Sequence, residues 1–194
     1  DGATHAGVYD IAYMRCIPNI VIATPSDEAE TRALLSSAYQ FNGPAAVRYP
    51  RGSGTGVAVA SDLNPLPIGQ AKVVRQGERV AILAFGTLLH AATLAAEQQN
   101  ATLVDMRWVK PLDEKLLNMI KQTHSHIITI EDSSKQGGAG SAVGEWLAAH
   151  GCTAKILNLG LPDQFIDQGD YNALYAAHGL DEQSIASTIA AFVA

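Results

Sequence analysis

Short β-branched runs alternate along this chain with segments that carry a helical stripe of apolar residues. Asn19–Ala23 is one such run, closed by Thr24–Pro25. Ser26 or Asp27 then caps a helix, Asp27 and Glu30 having capping-box spacing. The helix runs to about Phe41, with Leu34, Ala38 and Phe41 on one face, and Asn42–Gly43–Pro44 ends it. Ala45–Tyr49 is the next strand, closed by Pro50. Ser53–Asn64 has little charge or bulk and reads as a linker, with Pro65 and Pro67 after it.

Beyond the linker, strands are expected at Gln70–Arg75, Arg79–Phe85, Thr102–Met106, His126–Glu131 and Ala154–Leu159. Helices are expected over Thr87–Gln98, from Pro111 to about Gln122, from Gly137–Gly140 to His150, and continuously from Tyr171 to Val193. Strands alternating with helices predict an α/β fold with a mostly parallel sheet covered on both faces. The segment before the linker offers two strands and one long helix. That is too little to bury a stable core alone, and its elements need neighbours. It reads as half of a domain whose remainder lies upstream or on another chain.

Composition narrows the function. Hydrophobic residues are 47% and charged ones 16%, a globular balance. The formal net charge of −6 gives no general attraction to nucleic acid or anionic lipid, so a phosphorylated ligand needs local arginines. Cys16 and Cys152 are too few and too far apart for a disulfide scaffold or a zinc site, and read as thiols in a reducing cytoplasm. No apolar run is long enough to span a bilayer, and there is no basic-then-apolar leader. An opening at Asp1 without Met suggests a trimmed polypeptide.

Three clusters could carry chemistry. Asp1-Gly-Ala-Thr-His5-Ala-Gly7 brings a carboxylate, a hydroxyl and an imidazole together between glycines, suited to proton transfer or equally to a capped turn. Arg48-Tyr-Pro-Arg51-Gly52 follows a strand, where ligands bind in open α/β sheets. Arg48, within the strand, is assigned to acidic neighbours on the surface, and Arg51, at the exit, to an anion. Glu131-Asp132 and Gly137-Gly-Ala-Gly140 precede a helix, but lack the lysine of a P-loop and the spacing of a dinucleotide fingerprint. They read as a tight connection with structural acids. His124 and His126, without a carboxylate or thiol partner, read as surface residues, and Trp108 and Trp146 as core or interface.

The stretch from Asp1 to Arg15 resembles the second signature of the transketolase family. Arg15-Cys-Ile-Pro18, Thr24-Pro-Ser-Asp-Glu28 and Val47-Arg-Tyr-Pro-Arg-Gly52 are similar to its deoxyxylulose-phosphate synthase branch. So are Leu103–Arg107, Lys110–Asp113, Gly137–Ser141 and Gly160–Asp163. The resemblance covers the whole chain. It implies that residues 1–53 are the second half of a thiamine-diphosphate pyrimidine-binding domain, 54–66 a linker, and 67–194 a transketolase C-terminal domain. The implied reaction joins pyruvate to D-glyceraldehyde 3-phosphate with loss of carbon dioxide, giving 1-deoxy-D-xylulose 5-phosphate for isoprenoid precursors and thiamine.

By the same resemblance, His5 faces the reacting centre, Asp1 accepts a hydroxyl of the aldehyde, and Arg51 clamps its phosphate. Asp10 and Arg15 belong to the signature and are given structural roles. Thiamine diphosphate and Mg2+ are implied cofactors. No Gly-Asp-Gly stretch with a following Asn is present to hold the metal and diphosphate, so an N-terminal part of the same enzyme is the implied partner, within a homodimer. The chain alone is expected to be inactive. The competing readings are a transketolase, a 2-oxoacid dehydrogenase β subunit, and a non-catalytic assembly module.

Overall fold

The computed structural model describes residues 2–194; Asp1 lies outside the described residues. A 3-10 turn, Ala3–His5, leads to α1 (Asp10–Met14), β1 (Val21–Ala23), α2 (Glu28–Gln40) and β2 (Ala45–Val47). Asp27 is the cap of α2, accepting from Glu30 N at 2.8 Å. Ser26 turns away and donates to Asp105 instead. Residues 51–65 are exposed and lack regular structure, but they lie along α2. Glu28 accepts from Gly56 N (2.7 Å), Arg32 donates to Ser61 O (2.6 Å), and Ser37 Oγ bonds Leu66 N and O.

The rest of the chain forms β3 (Lys72–Arg75), β4 (Arg79–Phe85), α3 (Leu88–Ala91), α4 (Thr93–Gln98), β5 (Thr102–Asp105) and β6 (Trp108–Lys110). It continues with α5 (Glu114–Thr123), β7 (His124–Ser134), α6 (Ala139–Ala149), β8 (Lys155–Leu161), α7 (Tyr171–Ala177) and α8 (Glu182–Val193). The larger sheet has the order β3-β5-β4-β7-β8, parallel except for the β3 edge. Period two along β4 is visible in the packing. Val80, Ile82 and Ala84 face α3, α4 and α8, whereas Ala81, Leu83 and Phe85 face α5 and α6. Both faces are covered, as a hydrophobic parallel strand requires.

Four features depart from the sequence reading. The helix expected from Tyr171 to Val193 breaks at Gly179, whose φ of +70° suits only glycine without strain. The helix expected over Thr87–Gln98 is two short ones meeting at Ala92. His124 and His126 are buried, not on the surface. His124 Nε2 and Nδ1 meet Thr102 and Thr123 hydroxyls at 2.8 Å, and burial pushes its pKa down; the His126 ring meets Phe192 edge-on.

The fourth departure concerns the first segment, whose strands do find a neighbour. β1 pairs with β2 on one side and with β6, from beyond the linker, on the other. Trp108 of β6 is fully buried against Val21, Ala23 and Leu34. An ion pair reinforces the join: Arg107 donates from Nε and Nη2 to the two carboxylate oxygens of Glu30 at 2.8 and 2.6 Å. On the outer side, Leu35 and Tyr39 of α2 remain exposed.

Candidate functional site

The carboxyl ends of the parallel strands are where an α/β sheet leaves its crevice. Here β2 and β7 both deliver polar residues to one cleft of about 660 Å³. His5 comes from the turn at the N-terminus, Arg48 and Arg51 from the exit of β2, Asp132 from the end of β7, and Tyr171 and Tyr175 from α7. Histidine and arginine, distant in the sequence, thus line one groove.

The N-terminal segment reaches the cleft because it is pinned to the larger sheet. Ser134 N donates to Val8 O at 2.9 Å, extending the hydrogen bonding of β7 outward. Tyr9 packs edge-on against Phe165 and donates to Gln164 O at 3.2 Å. Arg15 donates to Gly137 O at 2.7 Å and pairs with Glu145 at 2.6 Å, away from the cleft. His5 is exposed, with Nδ1 3.0 Å from Thr4 Oγ1. Arg51 is exposed at the mouth, and also borders a second cleft of about 800 Å³ between the N-terminal end of α2 and α7.

Behind this mouth lies a buried charge network. Arg48 donates from Nη1 to Asp132 Oδ1 and from Nη2 to Asp132 O at 3.1 Å, and its Nε is 3.5 Å from Asp10 Oδ2. Burial opposes the charge on Arg48, but the Asp132 and Asp10 carboxylates more than offset it and raise its pKa. Burial pushes the Asp10 carboxyl up, against the pull of Arg48. Tyr175 donates to Asp132 Oδ2 at 3.1 Å. Burial and the Asp132 carboxylate push its phenol far up, so it stays protonated. Tyr171 Oη meets Tyr175 Oη and completes the chain. Arg48 therefore has acidic partners as expected, but they are buried in the cleft wall and not on the surface.

The glycine-rich turn is not an anion site. Glu131 is buried and already occupies the N-terminus of α6, accepting from Ala139 N at 2.8 Å and Gly140 N at 2.7 Å. A Cβ at 138 would collide with Glu131 and Ser134 O, and one at 140 with Thr129 Oγ1. The glycines are there so that the protein's own carboxylate can cap the helix.

Nor does the cleft fit a diphosphate. Its inner wall sets two carboxylates, Asp10 and Asp132, against one guanidinium. Among the described residues no group of three His, Cys, Asp or Glu side chains could hold a metal ion. None of the described helices is long and apolar enough to cross a membrane. The arrangement sets one imidazole, His5, and one guanidinium, Arg51, on the same cleft. The sequence pointed to both of those residues but not to Asp132, Tyr171 or Tyr175 as lining. The position of Asp132 after a buried parallel strand was the available signal; for the tyrosines there was only their four-residue spacing on a helix.

Comparison with known proteins agrees with this architecture. Residues 69–185 match the model of the transketolase C-terminal domain, and residues 1–55 that of the transketolase pyrimidine-binding domain. The chain is 57% identical over 189 residues to the 1-deoxy-D-xylulose-5-phosphate synthase of Bordetella avium (strain 197N), covering 97% of this chain and 30% of that protein. It is 54% identical to the protein of the same name from Aeromonas hydrophila, with the same coverage. It thus spans about 30% of the length of these curated relatives. Among solved structures, a chain described as a split gene transketolase, inactive beta4 tetramer, superposes with a TM-score of 0.83 at 31% identity, covering 97% of this chain and 62% of that one. With a parallel sheet covered on both faces and a family match over more than half its length, the chain belongs to the transketolase C-terminal domain family.

Proposed function

We propose that this chain is the C-terminal portion of a thiamine-diphosphate-dependent synthase that joins pyruvate to D-glyceraldehyde 3-phosphate, releasing carbon dioxide and forming 1-deoxy-D-xylulose 5-phosphate. The observation that carries the reading is the shared cleft of His5 and Arg51. It is supported by relatives of that name at 54–57% identity. Residues 1–53 are the second half of the pyrimidine-binding domain, 54–66 the linker and 67–194 the C-terminal domain.

In this reading the cofactor supplies the electron sink. It is held, with Mg2+, by an N-terminal part within a homodimer, because the wall described here repels a diphosphate. His5 gives its proton to the aldehyde oxygen as the carbonyl becomes a hydroxyl. Arg51 holds the phosphate in a protein whose net charge of −6 gives it no general attraction for anions. Asp1, outside the described residues, accepts a hydroxyl of the aldehyde. The enzyme works in the cytoplasm.

The test is reconstitution. The chain is assembled with the N-terminal portion of the Bordetella avium relative and assayed with pyruvate and D-glyceraldehyde 3-phosphate. His5→Ala should lower kcat by about 10²–10⁴. Arg51→Ala should raise KM for the phosphorylated aldehyde and leave KM for pyruvate unchanged. Turnover only with a ketose donor or a lipoyl acceptor would overturn the assignment.

A further inference from the structure

We infer that Asp132, held by Tyr175, is a positioning residue that fixes the turn carrying Arg51 and thereby sets the preference of the cleft for a phosphorylated aldehyde over an unphosphorylated one. This deepens the functional reading above and rests on its assignment of Arg51.

The turn is gripped at both ends. At its start β2 ends on Val47, and Arg48 N donates to Ala23 O at 2.9 Å. The Arg48 side chain then leaves the smaller sheet and reaches the end of β7. There Asp132 accepts from two of its nitrogens, one through the carboxylate and one through the main-chain carbonyl. Two contacts to one residue fix direction as well as distance. At the far end, Glu28 accepts from Thr55 Oγ1 at 3.0 Å and from Gly56 N at 2.7 Å. A Cβ on Gly54 would collide with the Glu28 carboxylate, so the chain passes close to it only as glycine. Arg51 sits between these two anchors.

Asp132 is itself held from the opposite side. Its Oδ2 accepts from Tyr175 at 3.1 Å, and the Tyr175 hydroxyl meets that of Tyr171, which lies 3.5 Å from Thr87 Oγ1. The chain of contacts thus joins the residue before α3, α7, β7 and the residue after β2. Asp132 is only 5% exposed, so the grip is desolvated and strong. Three nitrogens of Arg48 face carboxylate or carbonyl oxygens, and the two carboxylates disfavour a phosphate at this inner end. Asp132 therefore acts through Arg48 on the placement of Arg51 rather than on the phosphate.

The experiment compares kcat/KM for D-glyceraldehyde 3-phosphate and D-glyceraldehyde in the assembled enzyme. Asp132→Ala should lower the ratio of the two by about 10²-fold, the effect of misplacing a binding group by about 1 Å. Asp132→Asn keeps an acceptor for Arg48 and should restore most of the ratio. Tyr175→Phe removes a single oxygen, is the variant least able to disturb folding, and should lower the ratio by about threefold, as for one hydrogen bond of roughly 0.65 kcal/mol. An unchanged ratio in Tyr175→Phe, or an equal loss on both aldehydes in Asp132→Ala, overturns the inference. If Arg51→Ala also leaves the ratio unchanged, the phosphate assignment of Arg51 fails with it; if Arg51→Ala alone lowers the ratio, that assignment survives and only the role of Asp132 falls.

Discussion

Two of the arginine clusters that stitch the first segment of this chain to the rest differ in what surrounds them. Arg107 meets Glu30 with two parallel hydrogen bonds beside Asp105, at the join between β6 and α2. Arg48 meets Asp132 and Asp10 in the wall of the cleft. Each sets two carboxylates around one guanidinium. Arg107 has one well-formed bidentate partner, whereas Arg48 divides its donors between a close carboxylate, a carbonyl and a carboxylate at 3.5 Å. The same ingredients thus serve cohesion in one place and the shaping of a binding cleft in the other.

The largest test of that contrast is Arg107→Ala. It leaves the largely buried Glu30 without its cation, and should cost about 3–5 kcal/mol in urea unfolding, with activity per folded molecule unchanged. The next is pH. Burial first, then the nearby Glu30, raises Asp105 from 3.8 to about 6 despite the hydrogen bond from Ser26. A carboxyl raised in the folded state binds its proton more tightly there than in the unfolded chain. Its contribution is therefore fully present below pH 3.8 and is lost as pH rises to about 6. The change across that window is at most about 3 kcal/mol. Asp105→Asn should flatten the slope, as read by Tm against pH. The smallest effect is Asp10→Asn in the cleft-wall cluster. Its contact to Arg48 is long, so the expected stability change is within about 1 kcal/mol, checked by thermal unfolding. A large loss there would erase the distinction between the clusters.

The larger sheet was legible because its strands announce themselves. Val80–Phe85 is a continuous apolar run, and Ile127–Ile130 is broken only by Thr129; only a sheet covered on both faces can bury such runs. The strand β6 was not legible. Trp108–Lys110 has no pattern of its own and becomes a strand by pairing with β1, a long-range event. Helix α1 is too short to carry a stripe. β7 runs on through Glu131–Ser134, which look like a polar loop because their partners lie elsewhere in the chain: the backbone of α6 for Glu131 and Arg48 for Asp132. His124 misled for a similar reason, its ring being satisfied by hydroxyls of Thr102 and Thr123. At the site, His5 and Arg51 stood out by motif. Asp132 and Tyr175 did not, since what joins them to Arg48 is tertiary proximity.

The pairing of β1 with β6 makes the backbone between residues 51 and 65 mechanically redundant. Severing that exposed stretch would open no seam, because the pieces on either side remain zipped by a shared sheet and plugged by one indole. A gene encoding this architecture could be interrupted there and its products would still find one another by the edge they have in common.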